Sequence, residues 1–148
     1  MGWKSLHRFF AHLVVYLLIL TVLGCRGGSG PELVDVRGSL SRQGQPLGGY
    51  TLQFVPDSGR PSQATTESDG SFRAQYTSEL PGVVPGRHRV IILSYRSTDP
   101  DIELAIDEGR FQDLPPDVGH VLQTYGDLET TPLEFEIMES QDLDIALD

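Results

Sequence analysis

The 148-residue chain has one cysteine, Cys25, and one tryptophan, Trp3. A lone thiol excludes an intrachain disulfide, and no cysteine spacing of the zinc-binding kind exists. Bases are also scarce. Lys4 and Arg8 precede Cys25, and from Cys25 onward 9 basic residues face 21 acidic ones, a net of −12. Such a surface repels phosphate backbones, which argues against nucleic acid as a partner, and it has no attraction for an anionic membrane face. Catalytic signatures are missing too: there is no nucleophile elbow, phosphate loop or H-E-x-x-H. His120, with Asp117 or Asp127 to orient it and Ser97 or Ser140 as nucleophile, is the most that can be assembled. His88 lies in a strand between Arg87 and Arg89. The chain is therefore not expected to be an enzyme.

Residues 1–25, MGWKSLHRFFAHLVVYLLILTVLGC, have a composition of their own. Lys4 and Arg8 form a positive start, and Phe9 to Leu23 is almost wholly apolar. Fifteen helical residues span about 22 Å, short for a bilayer core of about 30 Å. A charged start, a short apolar run and small residues at its end describe a secretory signal. Its ending, VLGC, resembles the lipobox of bacterial lipoproteins. The resemblance implies cleavage between Gly24 and Cys25 and covalent lipid on the Cys25 sulfur. Each buried CH₂ contributes about 0.8 kcal/mol, so two or three acyl chains hold a protein far more firmly than one. The alternative is an uncleaved anchor helix ending in an ordinary cysteine. RGGSGPE, Arg26 to Glu32, has the composition of a flexible tether. The expected organisation is a signal peptide over 1–24, a tether over 25–32 and one folded domain over 33–148.

From Leu33 onward the apolar residues recur with a period near two, which predicts strands. Val34, Val36 and Leu40 belong to the first, Tyr50, Leu52 and Phe54 to the second. Asp69-Gly70 reads as a type I′ hairpin turn between Ala64–Thr66 and Phe72–Tyr76. The fifth strand, Arg87 to Tyr95, is apolar on both faces around Val90–Leu93, so something must cover its outer face. Leu133–Ile137 and Leu143–Leu147 read as a closing hairpin. Seven short strands predict an all-β, seven-stranded antiparallel sandwich. Residues 97–131 are too long for an ordinary connection. They are expected to fold back over the outer face of the Arg87–Tyr95 strand, with Phe111 and Leu114 as covers.

Three segments carry a family resemblance. GSLSRQGQPLGGYTLQFVP (Gly38–Pro56), TESDGSF (Thr66–Phe72) and VPGRHRVII (Val84–Ile92) resemble, in order and spacing, the carboxypeptidase regulatory-like domain. Together with the lipobox and YGDLETTPLEFEI (Tyr125–Ile137), they resemble the short lipoproteins of planctomycetes. The resemblance implies a transthyretin-like sandwich without catalytic activity of its own.

Ligand chemistry has two candidate locations. From Ser97 to Asp148 there are 15 acids and one base, Arg110. Asp99, Asp101, Glu103, Asp107 and Glu108 crowd into ten residues and offer the carboxylates that Ca²⁺ requires, though not at EF-hand spacing. A second acidic stripe is expected on the closing hairpin, Glu134 and Glu136 beside Asp142 and Asp144, where Arg37 or Arg42 can neutralise it. A solvated acidic face is the alternative for both. Among aromatics, Trp3 belongs to the leader, which removes the commonest platform for a sugar. Tyr50 and Tyr76 are expected in the core, and Tyr125 is the ring left to meet a ligand. The function these features imply is a non-enzymatic, membrane-anchored lipoprotein on the extracytoplasmic side, acting as a structural or interaction module of the cell envelope. Its partner would be an envelope protein or polysaccharide, and no cofactor is expected beyond the lipid. The alternative is a calcium- or carbohydrate-binding protein working through residues 97–131.

Overall fold

Leu40, Leu52, Phe54, Val90 and Ile92 are fully buried, while the residues between them in sequence are mostly half-buried or exposed, so the period-two pattern is realised as strands. The computed structural model describes residues 30–148, and Glu32–Asp148 form one compact unit. Its strands are β1 (Val36–Arg42), β2 (Gln45–Pro46), β3 (Tyr50–Pro56), β4 (Ser62–Thr65), β5 (Ser71–Arg73), β6 (Gly86–Tyr95), β7 (Glu134–Ile137) and β8 (Gln141–Leu147). They form two four-stranded sheets. In one, the order is β4-β3-β6-β7; in the other, β1 is flanked by β8 along its whole length and by β5 and β2 end to end on its opposite edge. Phe54 of the first sheet meets Phe72 of the second with ring centroids 5.9 Å apart, inside a single core that spans both sheets.

Several expectations are corrected. The described residues contain eight strands rather than seven, because Gln43 (φ 51°) and Gly44 (φ 77°) make a tight turn that returns the chain as β2. Both central residues lie in the left-handed region, so this is the I′ turn. At Asp69-Gly70 only Gly70 has positive φ. Gly70 N–H donates to Glu67 O and Glu67 N–H to Ser71 O, a type I turn followed by a left-handed residue. Secondly, the sheets are not wholly antiparallel, since β1 and β8 pair parallel from Val36–Gln141 to Arg42–Leu147. Thirdly, β7 and β8 are not a hairpin. β7 pairs with β6 and β8 with β1, so the connection between them passes from one sheet to the other.

Residues 97–131 are helical where a fold-back over the outer face was expected. They contain α1 (Pro100–Asp107), a 3₁₀ turn (Phe111–Asp113) and α2 (Pro116–Tyr125). β7 pairs with β6 only from Gly86 to Arg89, which leaves the later part of that β6 edge without a strand. α2 lies there, so close that a Cβ added to Gly126 would stand 3.3 Å from Ile92 O. Val118, Val121, Leu122 and Tyr125 of α2, with Leu114, join the same core as Leu52, Phe54, Val90 and Ile92. The segment therefore packs on the inner side and closes an open flank of the sandwich. Its return is fastened at Thr131, whose hydroxyl donates to Val90 O (2.8 Å), and at Arg89, which donates to Leu128 O (2.9 Å).

Gly38, opposite Phe72 on one side and Leu143 on the other, is the tightest point. A Cβ there would lie 1.9 Å from Leu143 O, whereas one at Gly44 would meet nothing within 4 Å. Gly38→Ala is expected to cost about 3 kcal/mol, because backbone must move on both sides. Gly44→Ala is expected to cost about 1–2 kcal/mol, the penalty of a left-handed alanine. Urea denaturation of both variants checks the order.

Candidate functional site

Gly24 and Cys25, the proposed cleavage and lipidation residues, lie outside the described residues. Among the described residues no helix is long and apolar enough to cross a membrane.

The acidic segment does not gather its carboxylates. Asp99 is the N-cap of α1 and accepts from Asp101 N–H (3.0 Å). Glu103 accepts from Ser97 N–H (3.0 Å), and Glu108 accepts from Arg110 Nε (2.6 Å), which also pairs with Asp113. Asp107 is the last residue of the helix. A helix turns about 100° per residue, so Asp99, Glu103 and Asp107 fall on one face and Asp101 and Glu108 on the opposite one, which divides the five carboxylates. No group of three or more His, Cys, Asp or Glu side chains is placed to hold a metal among the described residues. Asp99 and Asp101 instead complement the positive end of the helix.

The second acidic stripe is divided between the sheets. Glu134 pairs with Arg87, and Glu136 stands opposite Arg87. In the other sheet Asp142 stands opposite Arg37, and Asp144 accepts from Ser39 Oγ (2.8 Å). Arg42 reaches Asp117 (3.0 Å) and the Asp148 carbonyl (2.9 Å). Asp35 receives Arg37 Nε (2.9 Å) and Arg73 Nε (2.8 Å). The hydrogen bond from Arg73, more than any other influence, holds the Asp35 carboxyl below its ordinary range.

The imagined catalytic groups are occupied elsewhere. Asp117 is held by Arg42, Asp127 Oδ1 accepts from Glu129 N–H (2.7 Å), Ser140 Oγ accepts from Asp35 N–H (3.0 Å) and Ser97 Oγ from Asp99 N–H (3.1 Å). His120 is exposed. His88 is 1% exposed, with Nδ1 3.0 Å from Gly86 O and Nε2 buried without a partner. The geometry fits the tautomer with the proton on Nδ1, which donates to the carbonyl.

Tyr50 is in the core as expected, while Tyr76 and Tyr125 exchange their expected roles. Tyr125 is 4% exposed, and its hydroxyl accepts from Asp148 N–H (3.2 Å), because the helix of which it is the last residue points it inward. Tyr76 is only half-buried and stands outside the core. The chain leaves the β5 sheet at Ala74, Gln75 bridges to both Gln63 and Pro81, and Tyr76 N–H donates to Leu80 O, so the alternation that would have turned Tyr76 inward ends before it. There, Gln53, Gln63 and Gln75 line a cavity of about 340 Å³ with Arg60, Tyr76 and Thr77. Gln53 pairs with Gln63 across β3 and β4, and Gln63 with Gln75 across the next gap, so the three amides form one row. The Arg60 guanidinium lies over the Tyr76 ring, 5.7 Å from its centroid. Outward strand positions could have flagged Gln53 and Gln63, but nothing local announces that Gln75 joins them.

The sequence matches no family model and no curated protein, and no solved structure matches it.

Burial is the main influence lowering the His88 pKa from 6.5, against the opposing pull of Gly86 O and Asp57. An unfolded chain therefore binds this proton at a higher pH than the folded one. The stability gained from a neutral His88 is complete above about pH 6.5 and declines as pH falls toward the lowered folded value. Thermal melting at pH 7 and pH 5 should show a fall for the native chain and a smaller one for His88→Leu; equal falls in both would contradict this assignment.

Proposed function

We propose that the protein is a non-enzymatic lipoprotein of the cell envelope: acylated at Cys25, released from its leader after Gly24, and presenting one sandwich domain on the extracytoplasmic side as a structural or interaction module. The observation that carries this reading is the order of segments. A charged start and short apolar run end in VLGC, a glycine-rich stretch follows, and a compact unit then begins at Glu32. A lipid on the sulfur gives the lone cysteine a role that needs no second thiol, and the tether separates an acidic domain from a membrane surface that would repel it.

The fold reading belongs to the same proposal. Setting aside the two-residue β2 leaves seven strands, of which β1, β3, β5 and β6 overlap the segments that resemble carboxypeptidase regulatory-like domains. A transthyretin-like sandwich of that kind accompanies function elsewhere and carries no reaction itself.

Metabolic labelling with palmitate tests the anchor. The native chain is expected to take up label and partition with membranes, and Cys25→Ala to do neither. Equal absence of label from both would overturn the proposal.

A further inference from the structure

The row Gln53–Gln63–Gln75 has a chemistry that the fold itself does not use. Their side-chain amides make no hydrogen bond to protein among the described residues, although their backbones are paired: Gln63 N–H donates to Gln75 O (2.9 Å) and Gln75 N–H to Gln63 O (2.7 Å). The backbone thus fixes where the amides stand and leaves their polar ends free. Arg60 is exposed and, like Arg89 and Arg96, has no carboxylate partner among the described residues, whereas Arg37, Arg42, Arg73, Arg87 and Arg110 each have one. Thr77 Oγ1 accepts from Leu80 N–H (3.1 Å), which ties the turn that forms the cavity wall.

We propose that this face is a saccharide-binding site whose ligand carries a carboxylate, as in a uronic-acid unit of a polysaccharide. Each primary amide offers a donor and an acceptor in one plane, the pairing that neighbouring sugar hydroxyls require. Adjacent amides repeat at the strand spacing of about 4.8 Å, comparable to the length of a sugar ring. The half-exposed Tyr76 ring supplies an apolar surface for the C–H face of a sugar, with little conformational entropy to lose. The Arg60 guanidinium matches a carboxylate in plane and charge, with two N–H groups side by side. A cavity of about 340 Å³ is at the small end of ligand sites. Polar and apolar atoms share its lining, which suits the mixed faces of a sugar better than a wholly apolar ligand, and its one cation suits one carboxylate at a time. No carboxylate lines it, so it does not suit a metal ion. The site lies within the sandwich and does not depend on acylation of Cys25, so its test and that of the anchor fail separately.

The test is an NMR titration of the full chain in a detergent without a sugar headgroup, using trigalacturonate and, as a neutral counterpart, galactotriose. Trigalacturonate is expected to shift the side-chain amides of Gln53, Gln63 and Gln75 and the backbone of Tyr76 and Thr77 saturably, with a Kd near 1 mM. Galactotriose should bind about tenfold more weakly. Arg60→Gln should weaken trigalacturonate about tenfold and leave galactotriose unchanged, whereas Tyr76→Ala should weaken both. Should Tyr76→Ala fail to fold, Gln63→Ala, at an exposed position, is expected to weaken both about fivefold. Absence of these shifts at about 10 mM trigalacturonate, shifts confined to another face, or equal affinity of the native chain for both sugars would overturn the proposal.

Discussion

The first strand of the domain is held on both edges, and the rest of the structure depends on that. β1 pairs parallel with β8, the last strand, along its whole length, while β5 and β2 divide its other edge. Parallel neighbours cannot be joined by a hairpin. Here the connection is nearly the entire domain, so this pairing carries a large loop-closure cost that contacts made elsewhere must offset. Gly38 stands at the centre of the arrangement, where no Cβ fits beneath Leu143 O. Asp35, just before β1, ties three strands together: Arg37 on β1, Arg73 on β5, and through its own backbone Ser140 and Gln141 at the start of β8.

The second sheet is attached to this one mainly through apolar contact, with Phe54 against Phe72 at the join. Two sheets alone would leave a flank open, since β7 covers β6 only from Gly86 to Arg89. α2 closes it with four apolar residues, and its charged contacts lead back to β1: Asp117 to Arg42, and Arg42 to the carbonyl of Asp148. Tyr50 is part of the same joint. Burial foremost, with nearby Tyr95 and Asp117, pushes its hydroxyl pKa up to about 12. The excursion is therefore a third wall of the core rather than an appendage, and its acidic residues face water because its apolar ones face inward.

Strands were legible wherever alternation, a local property, sufficed. Tyr50, Leu52 and Phe54 alternate and are buried as they alternate. Strand pairing was not legible, because Leu143, Ile145 and Leu147 have the same pattern whether β8 turns back on β7 or crosses to β1. The helices were partly legible. Val118, Val121, Leu122 and Tyr125 recur at i, i+3, i+4 and i+7 behind Pro116, a helical signature, but one spanning only eight residues and embedded in charged sequence. Proximity across the sheet was the least accessible. Gln53, Gln63 and Gln75 are ordinary residues until three strands set them in one row, and Tyr76 looks like core until Gln75 bridges Gln63 and Pro81.

The proposed functions divide between the leader and the sandwich in the same way. The proposed anchor is read from contiguous residues around Cys25, and the proposed saccharide site from residues that only the fold assembles. The proposed saccharide site depends on a domain that keeps its shape without a disulfide, and the closure of β1 by β8 contributes to this. Amide hydrogen exchange measures that closure directly. The hydrogen-bonded amides of β1 and β8 are expected to exchange together, at the slow rate set by global unfolding. Rapid exchange along β8 while β1 stays protected would contradict the account.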